Sequence, residues 1–329
     1  MPRGAPIPPA STVRRTTQSA SVEANSQLSG FRSTAFQRVL AQLARLARHP
    51  SVPILLEGES GTGKTSIARW IHDNSPRAAG PSCAVLLAGL DDALAGSELF
   101  GHVTGAFTDA KSSRAGQFAS ASGGTLFLDA IGKASRAVQQ KLLHAVEQHE
   151  IRPIGSDRSM RVDTRIIVAS NVPLRQLVEE GTFLPDLSAR LDVFRVALPP
   201  LRKRRADIPL LVMGAVARHA ADCGYETEPA IAPELMRALQ RAPWPNNLRE
   251  LDATIWRLLI EAEGSPMLTL AHCPDALSHL RLADTPPITR ELLQDAVSKH
   301  GGVSAAARAL NVDRTTIYRR LRDNARGTR

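Results

Sequence analysis

Short apolar runs alternate with amphipathic stretches from Phe31 to about Pro200. The runs have the length of buried strands and lie at Ile54–Leu56, Ala84–Leu87, Leu126–Leu128 and Arg165–Ala169. Helical patterns fill the segments between them. Alternation of this kind predicts an α/β fold with a doubly wound parallel sheet covered by helices.

The pattern changes after Leu201, where no further strand is predicted. Three helical stretches follow at Ile208–Cys223, Pro233–Gln240 and Asn247–Glu263, and together they predict a helical lid. Residues 264–287 contain four prolines and predict an irregular linker.

The first thirty residues are rich in Pro, Ser, Thr and Ala and carry few large apolar side chains. Such a segment buries too little surface to offset its ordering entropy, so 1–30 is predicted to be a disordered tail. It lacks the apolar core of a secretion signal, and no run of eighteen apolar residues occurs in the chain. The expected location is therefore the cytoplasm, with no membrane partner.

The strongest local motif is GESGTGKT, from Gly58 to Thr65, which fits G-x-x-x-x-G-K-[ST] at every required position. A buried strand precedes it, and a helix is predicted from Ser66 to His72 with its N-terminus toward a bound anion. Lys64 supplies charge to the terminal phosphates, and the Thr65 hydroxyl suits a magnesium ion. The predicted residues for binding a nucleoside triphosphate are Gly58, Glu59, Ser60, Gly61, Thr62, Gly63, Lys64 and Thr65.

A later apolar strand ends in an acidic residue. Asp129 follows Leu128 directly, and from the carboxyl end of such a strand a carboxylate reaches the magnesium shell beside a phosphate loop. Thr65 and Asp129 are therefore the predicted metal ligands. The three cysteines form no C-x-x-C pair and the histidines show no metal-ligand spacing, so no separate metal centre is expected.

The most specific stretch of the sequence is SELFGHVTGAFTDA, from Ser97 to Ala110. Further distinctive stretches are IIVASN at Ile166–Asn171, LPPLRKR at Leu198–Arg204 and WPNNLREL at Trp244–Leu251. With the phosphate loop, they resemble the AAA+ domain of bacterial sigma-54-dependent activators, the enhancer-binding proteins. The resemblance covers residues 31–263 and resumes in the C-terminal tail. It implies a P-loop AAA+ subdomain with a helical lid, with ATP as the nucleotide.

The resemblance also implies roles for residues at matching positions. Asn171 is implied as the first sensor near the terminal phosphate, and Arg249 as the second sensor, reaching the nucleotide from the lid. Arg190, in DLSARL, is implied as an arginine finger that enters the site of a neighbouring subunit. Sigma-54 RNA polymerase and a ring of like or homologous subunits, a hexamer, are the implied partners. The implied sigma-factor contact consists of Gly105, Ala106, Phe107, Thr108, Asp109 and Ala110.

Four positions depart from the family pattern. Ala130 replaces the glutamate that polarises the attacking water, and Leu86 replaces the asparagine that pairs with this glutamate as a switch. Loss of a general base costs about 10²- to 10⁴-fold in rate, so ATP binding is predicted while hydrolysis stays an open question. Leu184 stands where the family often has a second finger-like arginine, and Asp109 replaces the last glycine of the signature.

The C-terminal end carries a helix-turn-helix pattern. A short helix is predicted from Ser304 to Leu310, a turn at Asn311–Val312 and a second helix from Arg314 to about Asp323. The pattern resembles the Fis-type domain that ends many of these activators, and its second helix suits the major groove. A small helical hairpin without a DNA role is the alternative interpretation. The predicted DNA-contacting residues are Arg314, Thr315, Thr316, Tyr318 and Arg319.

The charge distribution agrees with a DNA-binding end. The chain carries a net charge of +9 and has a pI near 10.2. Nine basic and four acidic residues lie from Ile288 onward, so +5 of the excess is concentrated there. The resemblance implies that the partner is promoter-upstream DNA, and units paired across a twofold axis are expected to bind it.

Together, these expectations predict a transcription regulator that binds DNA and ATP and acts on sigma-54 RNA polymerase through an AAA+ ring. Two alternatives stay open: a hydrolysis-deficient, ATP-binding regulatory subunit of a mixed ring, and a DNA-binding repressor. The expected domains are a disordered tail (1–30), an AAA+ α/β subdomain (31–200), a helical lid (201–263), a linker (264–287) and a small all-α Fis-type helix-turn-helix domain (288–329).

Overall fold

The structure is a computed structural model, and it describes residues 30–107 and 110–273 together with positions 280, 295, 297–299, 301–303 and 305. These residues form two compact units. The first comprises 30–229 and 243–266, and the second comprises 230–242 and the described residues from 267 onward. The phosphate loop lies wholly in the first unit.

Strands and helices alternate through most of the described chain. The strands are β1 (Ile54–Glu57), β2 (Ser82–Leu86), β3 (Gly101–His102), β4 (Arg114–Ala115), β5 (Thr125–Asp129), β6 (Glu150–Ile151), β7 (Met160–Arg161), β8 (Arg165–Ser170), β9 (Phe194–Ala197), β10 (Ala230–Ile231) and β11 (Met267–Leu268). The α-helices are α1 (Thr34–Ala47), α2 (Lys64–Asp73), α3 (Asp92–Phe100), α4 (Gln117–Ser120), α5 (Arg136–Gln148), α6 (Leu174–Glu179), α7 (Pro185–Leu191), α8 (Ile208–His219), α9 (Pro233–Arg241) and α10 (Asn247–Glu261). Within these ranges, no helix is both long and apolar enough to cross a bilayer.

Five strands form the central sheet of the first unit in the order β2–β5–β8–β1–β9, and every neighbouring pair is parallel. β1 lies inside the sheet, whereas β2, the next strand along the chain, lies at its edge. The chain thus winds in both directions from β1, and the expected doubly wound parallel sheet is confirmed. Ligands bind such sheets at the carboxyl ends of the strands, near the point where the strand order reverses.

Alternate side chains of the central strands enter two separate apolar cores. Leu55 of β1 and Val168 of β8 belong to one core, whereas Leu56 and Ala169 belong to the other. Every residue of β1 and β8 is buried, as expected for strands covered by helices on both faces. Burial of both faces explains why these strands appear in the sequence as continuous apolar runs.

Each predicted strand lies within two residues of its expected bounds. The sequence does not predict β9, the fifth strand of the sheet. Only Val196 of its four residues is buried, because β9 is an edge strand. Arg195 interrupts its apolar residues, so β9 lacks the continuous apolar run that identifies the other strands, including the exposed edge strand β2.

The region after Leu201 differs from the prediction in two ways. Helix α8 ends at His219, before the predicted end, and a 3₁₀ turn at Ala221–Cys223 follows it. The expectation that strands stop here is wrong, because β10 pairs with β11 in parallel. Two-residue strands are too short to leave a periodic pattern in the sequence. Strand β10 directly precedes α9, and its pairing with β11 places α9 in the same unit as the segment after residue 266. The predicted lid at 201–263 is therefore divided between the two compact units.

Buried polar side chains from distant parts of the chain fix both ends of α1. Asp207 accepts hydrogen bonds from the backbone N–H groups of Arg32 and Ser33, each at 2.7 Å. At the other end, Arg165 donates to two carbonyls of the last turn at 2.7 and 3.2 Å. Helix ends leave unpaired donors and acceptors, and these contacts satisfy several of them.

Candidate nucleotide site

The phosphate loop joins β1 to α2 at the carboxyl edge of the sheet. Gly61 (φ 75°) and Gly63 (φ 99°) occupy left-handed backbone, which glycine adopts without steric cost. A Cβ built on Gly61 would lie 2.2 Å from the carbonyl oxygen of Asn246. The backbone path of the loop therefore requires glycine at both positions.

The N-terminus of α2 is suited to an anion. The helix begins at Lys64, and the first N–H groups of a helix have no acceptor within it. They also carry the positive end of the helix dipole. Thr65, in the first turn, is exposed and lines the cavity in front of the loop. This end of α2 is thus arranged to receive phosphate oxygens.

The Lys64 side chain is held beside the cavity although the residue is only 6% exposed. Its Nζ donates to the carbonyls of Gly58 (2.7 Å) and Glu59 (3.0 Å) and to Oδ1 of Asn171 (2.6 Å). Burial lowers the pKa of Lys64, and the nearby Asp129 carboxylate opposes that shift. The three acceptors fix the position of the ammonium group.

A cavity of about 770 Å³ opens in front of the loop. Its volume is in the range of small-molecule sites. The polar part of its lining consists of Ser60, Gly61, Thr62, Gly63, Lys64, Thr65, Ser66, Asp129, Asn171, Arg218, Arg249 and Asp252. Its mostly apolar part is lined by Phe31, Phe36, Ile67, Arg204, Leu211, Ala215 and Leu248. The lining thus contains both polar groups of the kind that bind phosphates and apolar side chains of the kind that pack against a flat ring.

Asp129 and Ala130 end β5 at this cavity. Asp129 accepts a hydrogen bond at Oδ1 from the backbone N–H of Ala130 (2.8 Å), and Ala130 has a left-handed φ of 56°. Leu86 is the register partner of Asp129 on β2, and its side chain is 58% exposed. All three residues line the cavity. Neither Leu86 nor Ala130 has a polar side chain, so this site lacks the glutamate–asparagine pair of the family pattern.

The predicted metal ligands fit a magnesium ion. The Thr65 hydroxyl and the Asp129 carboxylate are hard oxygen donors of the kind Mg²⁺ prefers, and both residues line the same cavity. Within the part of the chain that the structure describes, no group of three or more His, Cys, Asp or Glu residues is placed to hold a metal ion. A magnesium ion held by these two residues would take its remaining ligands from phosphate oxygens and water.

The start of α10 is bound to the phosphate loop. The backbone N–H of Leu248 donates to the Gly61 carbonyl (2.9 Å), and Nδ2 of Asn247 donates to the Ser60 carbonyl (2.9 Å). Nη1 of Arg249 donates to Oγ of Ser60 (3.1 Å), and Arg249 also lines the cavity. The predicted second sensor therefore lies against the phosphate loop of its own subunit.

Two residues of the predicted loop set, Gly58 and Glu59, do not line the cavity. The Glu59 carboxylate accepts hydrogen bonds from both terminal nitrogens of Arg202, at 2.7 and 2.5 Å, and one from Nδ2 of Asn247 at 3.3 Å. The Arg202 hydrogen bonds are the main reason that the pKa of Glu59 is lowered to about 2. The Glu59 side chain thus anchors the loop to Arg202 and Asn247.

Arg190 lies in the last turn of α7 and does not line the cavity. Its Nε donates to Oε1 of Glu147 on α5 at 2.8 Å, yet its side chain remains 61% exposed. Leu184, at the N-terminus of the same helix, packs against the apolar core. The exposed guanidinium of Arg190 is therefore accessible to another molecule.

The described part of the predicted sigma-contact loop lies between β3 and β4. The Gly105 N–H donates to the Ala110 carbonyl (2.8 Å), and the Ala110 N–H donates to the Phe107 carbonyl (2.9 Å). Phe107 is 41% exposed and meets the His102 ring edge to face, with centroids 4.9 Å apart. The loop thus presents an aromatic side chain on the surface.

Several predicted contact residues lie outside the described residues. They are Thr108 and Asp109 of the sigma-contact loop and the DNA set of Arg314, Thr315, Thr316, Tyr318 and Arg319. Their roles stay predictions.

The apolar part of the cavity is the feature that the sequence did not reveal. Phe31 and Phe36 meet edge to face with centroids 4.7 Å apart, and the Arg204 guanidinium lies 4.6 Å from the Phe36 centroid. Arg204 is buried and donates to the Thr62 carbonyl at 3.0 Å. Burial lowers the pKa of Arg204 to about 10. The LPPLRKR stretch was the available signal, but its pattern does not indicate which arginine faces the cavity.

Comparison with known protein families matches three successive segments of the chain. Residues 30–197 match the sigma-54 interaction domain, which is just over half of the chain. Residues 202–290 match the AAA+ ATPase lid domain, and residues 287–323 match the Fis family of bacterial regulatory proteins.

Two curated relatives illustrate the extent of the similarity. The DNA-binding transcriptional regulator NtrC of Salmonella typhimurium is 38% identical over 322 residues, covering 88% of this chain and 68% of that protein. The Nif-specific regulatory protein of Herbaspirillum seropedicae is 42% identical over 240 residues, covering 73% of this chain and 44% of that protein. The chain thus spans between 44% and 68% of the length of these two relatives.

Solved structures show the same similarity. NtrX from Brucella abortus is 30% identical with a TM-score of 0.69, over 93% of this chain and 71% of that chain. NtrX in complex with ATP is 30% identical with a TM-score of 0.67, over 93% of this chain and 72% of that chain. With its phosphate loop, its parallel sheet, its sigma-54 interaction segment and its Fis-type segment, the chain belongs to the family of sigma-54-dependent transcriptional activators.

Proposed function

We propose that the chain holds ATP with Mg²⁺ and acts on sigma-54 RNA polymerase through the AAA+ ring that it forms. One observation carries the proposal. Lys64, Asp129, Asn171 and Arg249 come from distant segments and line one cavity, in a chain that also exposes Phe107. A site with this set of charges suits a polyphosphate, and an exposed aromatic suits a protein partner.

Different residues of the cavity bind different parts of the nucleotide in this proposal. Lys64 neutralises the terminal phosphates, and Asn171, which already touches Lys64, senses the same region. Arg249 adds a second positive charge from α10. Thr65 and Asp129 hold the magnesium ion, which spreads the negative charge of the phosphates. The apolar part of the cavity receives the base.

We propose a ring of six subunits in which Arg190 acts on the nucleotide of its neighbour. Arg190 is exposed and does not line the cavity of its own subunit, which supports an action in trans. A guanidinium from a neighbouring subunit stabilises charge on the transferred phosphoryl group. The loop of Phe107 and Thr108 is the part of the ring that contacts the sigma factor.

A second candidate function follows from Ala130. Two carboxylates line the cavity among the described residues, and Asp129 is assigned to the metal. The other, Asp252, is bound by Arg218 (2.6 Å) and His219 (3.1 Å). Because neither carboxylate is free to accept a proton from water, we propose that this chain turns over ATP slowly. It would then serve as the regulatory subunit of a ring that it shares with a hydrolysing homologue.

Residues 288–329 are proposed to bind promoter-upstream DNA as paired units, with Arg314 and Arg319 as the main contacts. Action on DNA and RNA polymerase would take place in the cytoplasm. The proposed division of the chain remains a tail (1–30), an AAA+ subdomain (31–200), a lid (201–263), a linker (264–287) and a DNA-binding domain (288–329).

A reconstituted transcription assay tests the proposal. The purified chain is added to sigma-54 RNA polymerase, ATP and a template with a promoter for that polymerase. We expect ATP-dependent transcripts that Lys64→Ala and Phe107→Ala abolish. Phe194→Ala serves as the matched control, because Phe194 is also 41% exposed but lies on β9.

The assay also separates the two candidates. A chain that is silent alone but changes the output of a hydrolysing homologue supports the regulatory subunit. A chain that leaves transcription unchanged both alone and in the mixture overturns both candidates. Transcription that persists in the Lys64→Ala variant overturns the role of ATP.

A further inference from the structure

We infer that an ion pair with Glu147 holds Arg190 against its own subunit. This ion pair thereby determines how readily Arg190 reaches the nucleotide of a neighbouring subunit. The inference rests on the proposed function, in which Arg190 acts in trans. Glu147 touches Arg190 and does not line the nucleotide cavity, so it is a positioning residue.

The two side chains meet because their helices pack together. Glu147 lies in the last turn of α5 and Arg190 in the last turn of α7, 43 residues apart in the sequence. Leu142 of α5 and Leu187 of α7 are buried in the same apolar core, which fixes the two backbones relative to each other. The contact therefore opens by rotation of the side chains alone.

The contact places opposite charges directly against each other. Nε of Arg190 donates to Oε1 of Glu147 at 2.8 Å, a charge-assisted hydrogen bond. The carboxylate offsets the charge of the arginine and holds its guanidinium against its own subunit. A phosphate of a neighbouring subunit must compete with Glu147 for this positive charge.

The exposure of the pair determines how strong this competition is. Arg190 is 61% exposed and Glu147 is 30% exposed, so water and salt screen the pair. Ion pairs of this kind shift an equilibrium by about 1.5- to 5-fold. A trans-acting arginine contributes about 10³- to 10⁵-fold to phosphoryl transfer. Glu147 therefore tunes the availability of Arg190 and does not block it.

ATP affinity is the measurement that tests this inference, because it does not require hydrolysis. Binding of ATP with Mg²⁺ is titrated at protein concentrations below and above the concentration at which the subunits assemble. Analytical sedimentation measures that concentration. Glu147→Gln keeps the size of the side chain and removes its charge. Glu179→Gln is the matched control, because Glu179 forms an exposed pair with Arg175 at 3.1 Å on α6.

We expect Glu147→Gln to tighten ATP binding by about 1.5- to 5-fold in assembled protein and to leave binding by the dilute subunit unchanged. Glu179→Gln should match the wild type at both concentrations. In an Arg190→Ala background, Glu147→Gln should have no effect, because the side chain that it releases is gone.

Two results would overturn the inference, and they have different meanings. If Glu147→Gln equals the wild type in assembled protein, or if its effect persists without Arg190, Glu147 does not act through Arg190. If Arg190→Ala leaves the affinity of assembled protein unchanged, the arginine does not act in trans. The second result also removes that part of the proposed function, whereas the first leaves it intact.

Discussion

Lys64 and Asn171 are joined by a 2.6 Å hydrogen bond from Nζ to Oδ1, although 107 residues separate them in the sequence. β1 and β8 are parallel neighbours, with Glu57 opposite Ser170. The loop after β1 and the residue after β8 therefore meet at one edge of the sheet. The hydrogen bond couples the position of the loop's charge to the predicted first sensor.

Replacement of Lys64 by alanine should weaken ATP binding strongly. A hydrogen bond to a charged group is worth about 1.5–3 kcal/mol, which corresponds to about a 10- to 150-fold loss of affinity. Calorimetric titration with ATP and Mg²⁺ measures the change. Lys133→Ala is the control, because Lys133 is exposed and does not line the cavity. Equal affinities of the two variants would contradict the assignment of Lys64.

Replacement of Ala130 by glutamate should raise the steady-state rate of phosphate release. A positioned general base is worth about 10²- to 10⁴-fold, or about 3–5 kcal/mol of barrier. Ala130 already occupies left-handed backbone, so a longer side chain adds little strain to the turn. Addition of Leu86→Asn should make the rate depend on both positions, because these residues line the same cavity.

Ala130→Gln is the control for this gain of function. Glutamine has the size of glutamate but does not accept a proton at neutral pH. Phosphate release should therefore stay near the wild-type rate in Ala130→Gln. An equal rise in both variants would show that packing, not base catalysis, is responsible. If the wild type releases phosphate as fast as Ala130→Glu, hydrolysis does not need a carboxylate at position 130.

The phosphate loop and Asp129 were predictable because their chemistry is local in the sequence, whereas Asn171 and Arg249 were implied only by the family resemblance. The loop from Gly58 to Thr65 has a fixed spacing, and the buried strand before Asp129 has a continuous apolar pattern. Both signals reflect physical requirements that act over a few neighbouring residues. The fold class follows from the same buried strands, which is why the parallel sheet was also predictable.

The apolar part was not predictable because it depends on contacts between distant segments. Phe36 and Arg204 are far apart in the sequence and meet with 4.6 Å between the guanidinium and the ring centroid. An arginine in a basic stretch is expected at the surface, yet Arg204 is buried. Strand β9 was missed because Arg195 interrupts its short apolar run.

Replacement of Asp207 by alanine should destabilise the first unit. Asp207 is fully buried, and its Oδ1 accepts the backbone N–H groups of Arg32 and Ser33 at the start of α1. Loss of two hydrogen bonds to a charged group at a helix end should cost about 2–4 kcal/mol. Urea unfolding measures the loss. Asp157→Ala, at an exposed position, should unfold at the wild-type midpoint, and the same midpoint for Asp207→Ala would disprove the capping role.

His72 should make the stability of the first unit depend on pH. It lies in α2, is almost fully buried and places Nδ1 3.0 Å from the Thr125 hydroxyl. Burial is the main reason that the pKa of His72 is lowered from its ordinary value of 6.5. The folded chain therefore keeps the imidazole neutral at a pH where the unfolded chain is already protonated.

Proton uptake by the unfolded chain fixes the direction of this dependence. Stability linked to His72 is complete above about pH 6.5 and is lost as the pH falls below that value, by at most about 1.4 kcal/mol per pH unit. Urea midpoints at pH 7.5 and 5.5 should therefore differ less for His72→Gln than for the wild type. His49→Gln, at an exposed position, should keep the wild-type difference. If His72→Gln also shows the wild-type difference between the two urea midpoints, other groups cause the acid sensitivity and the buried imidazole is not its source.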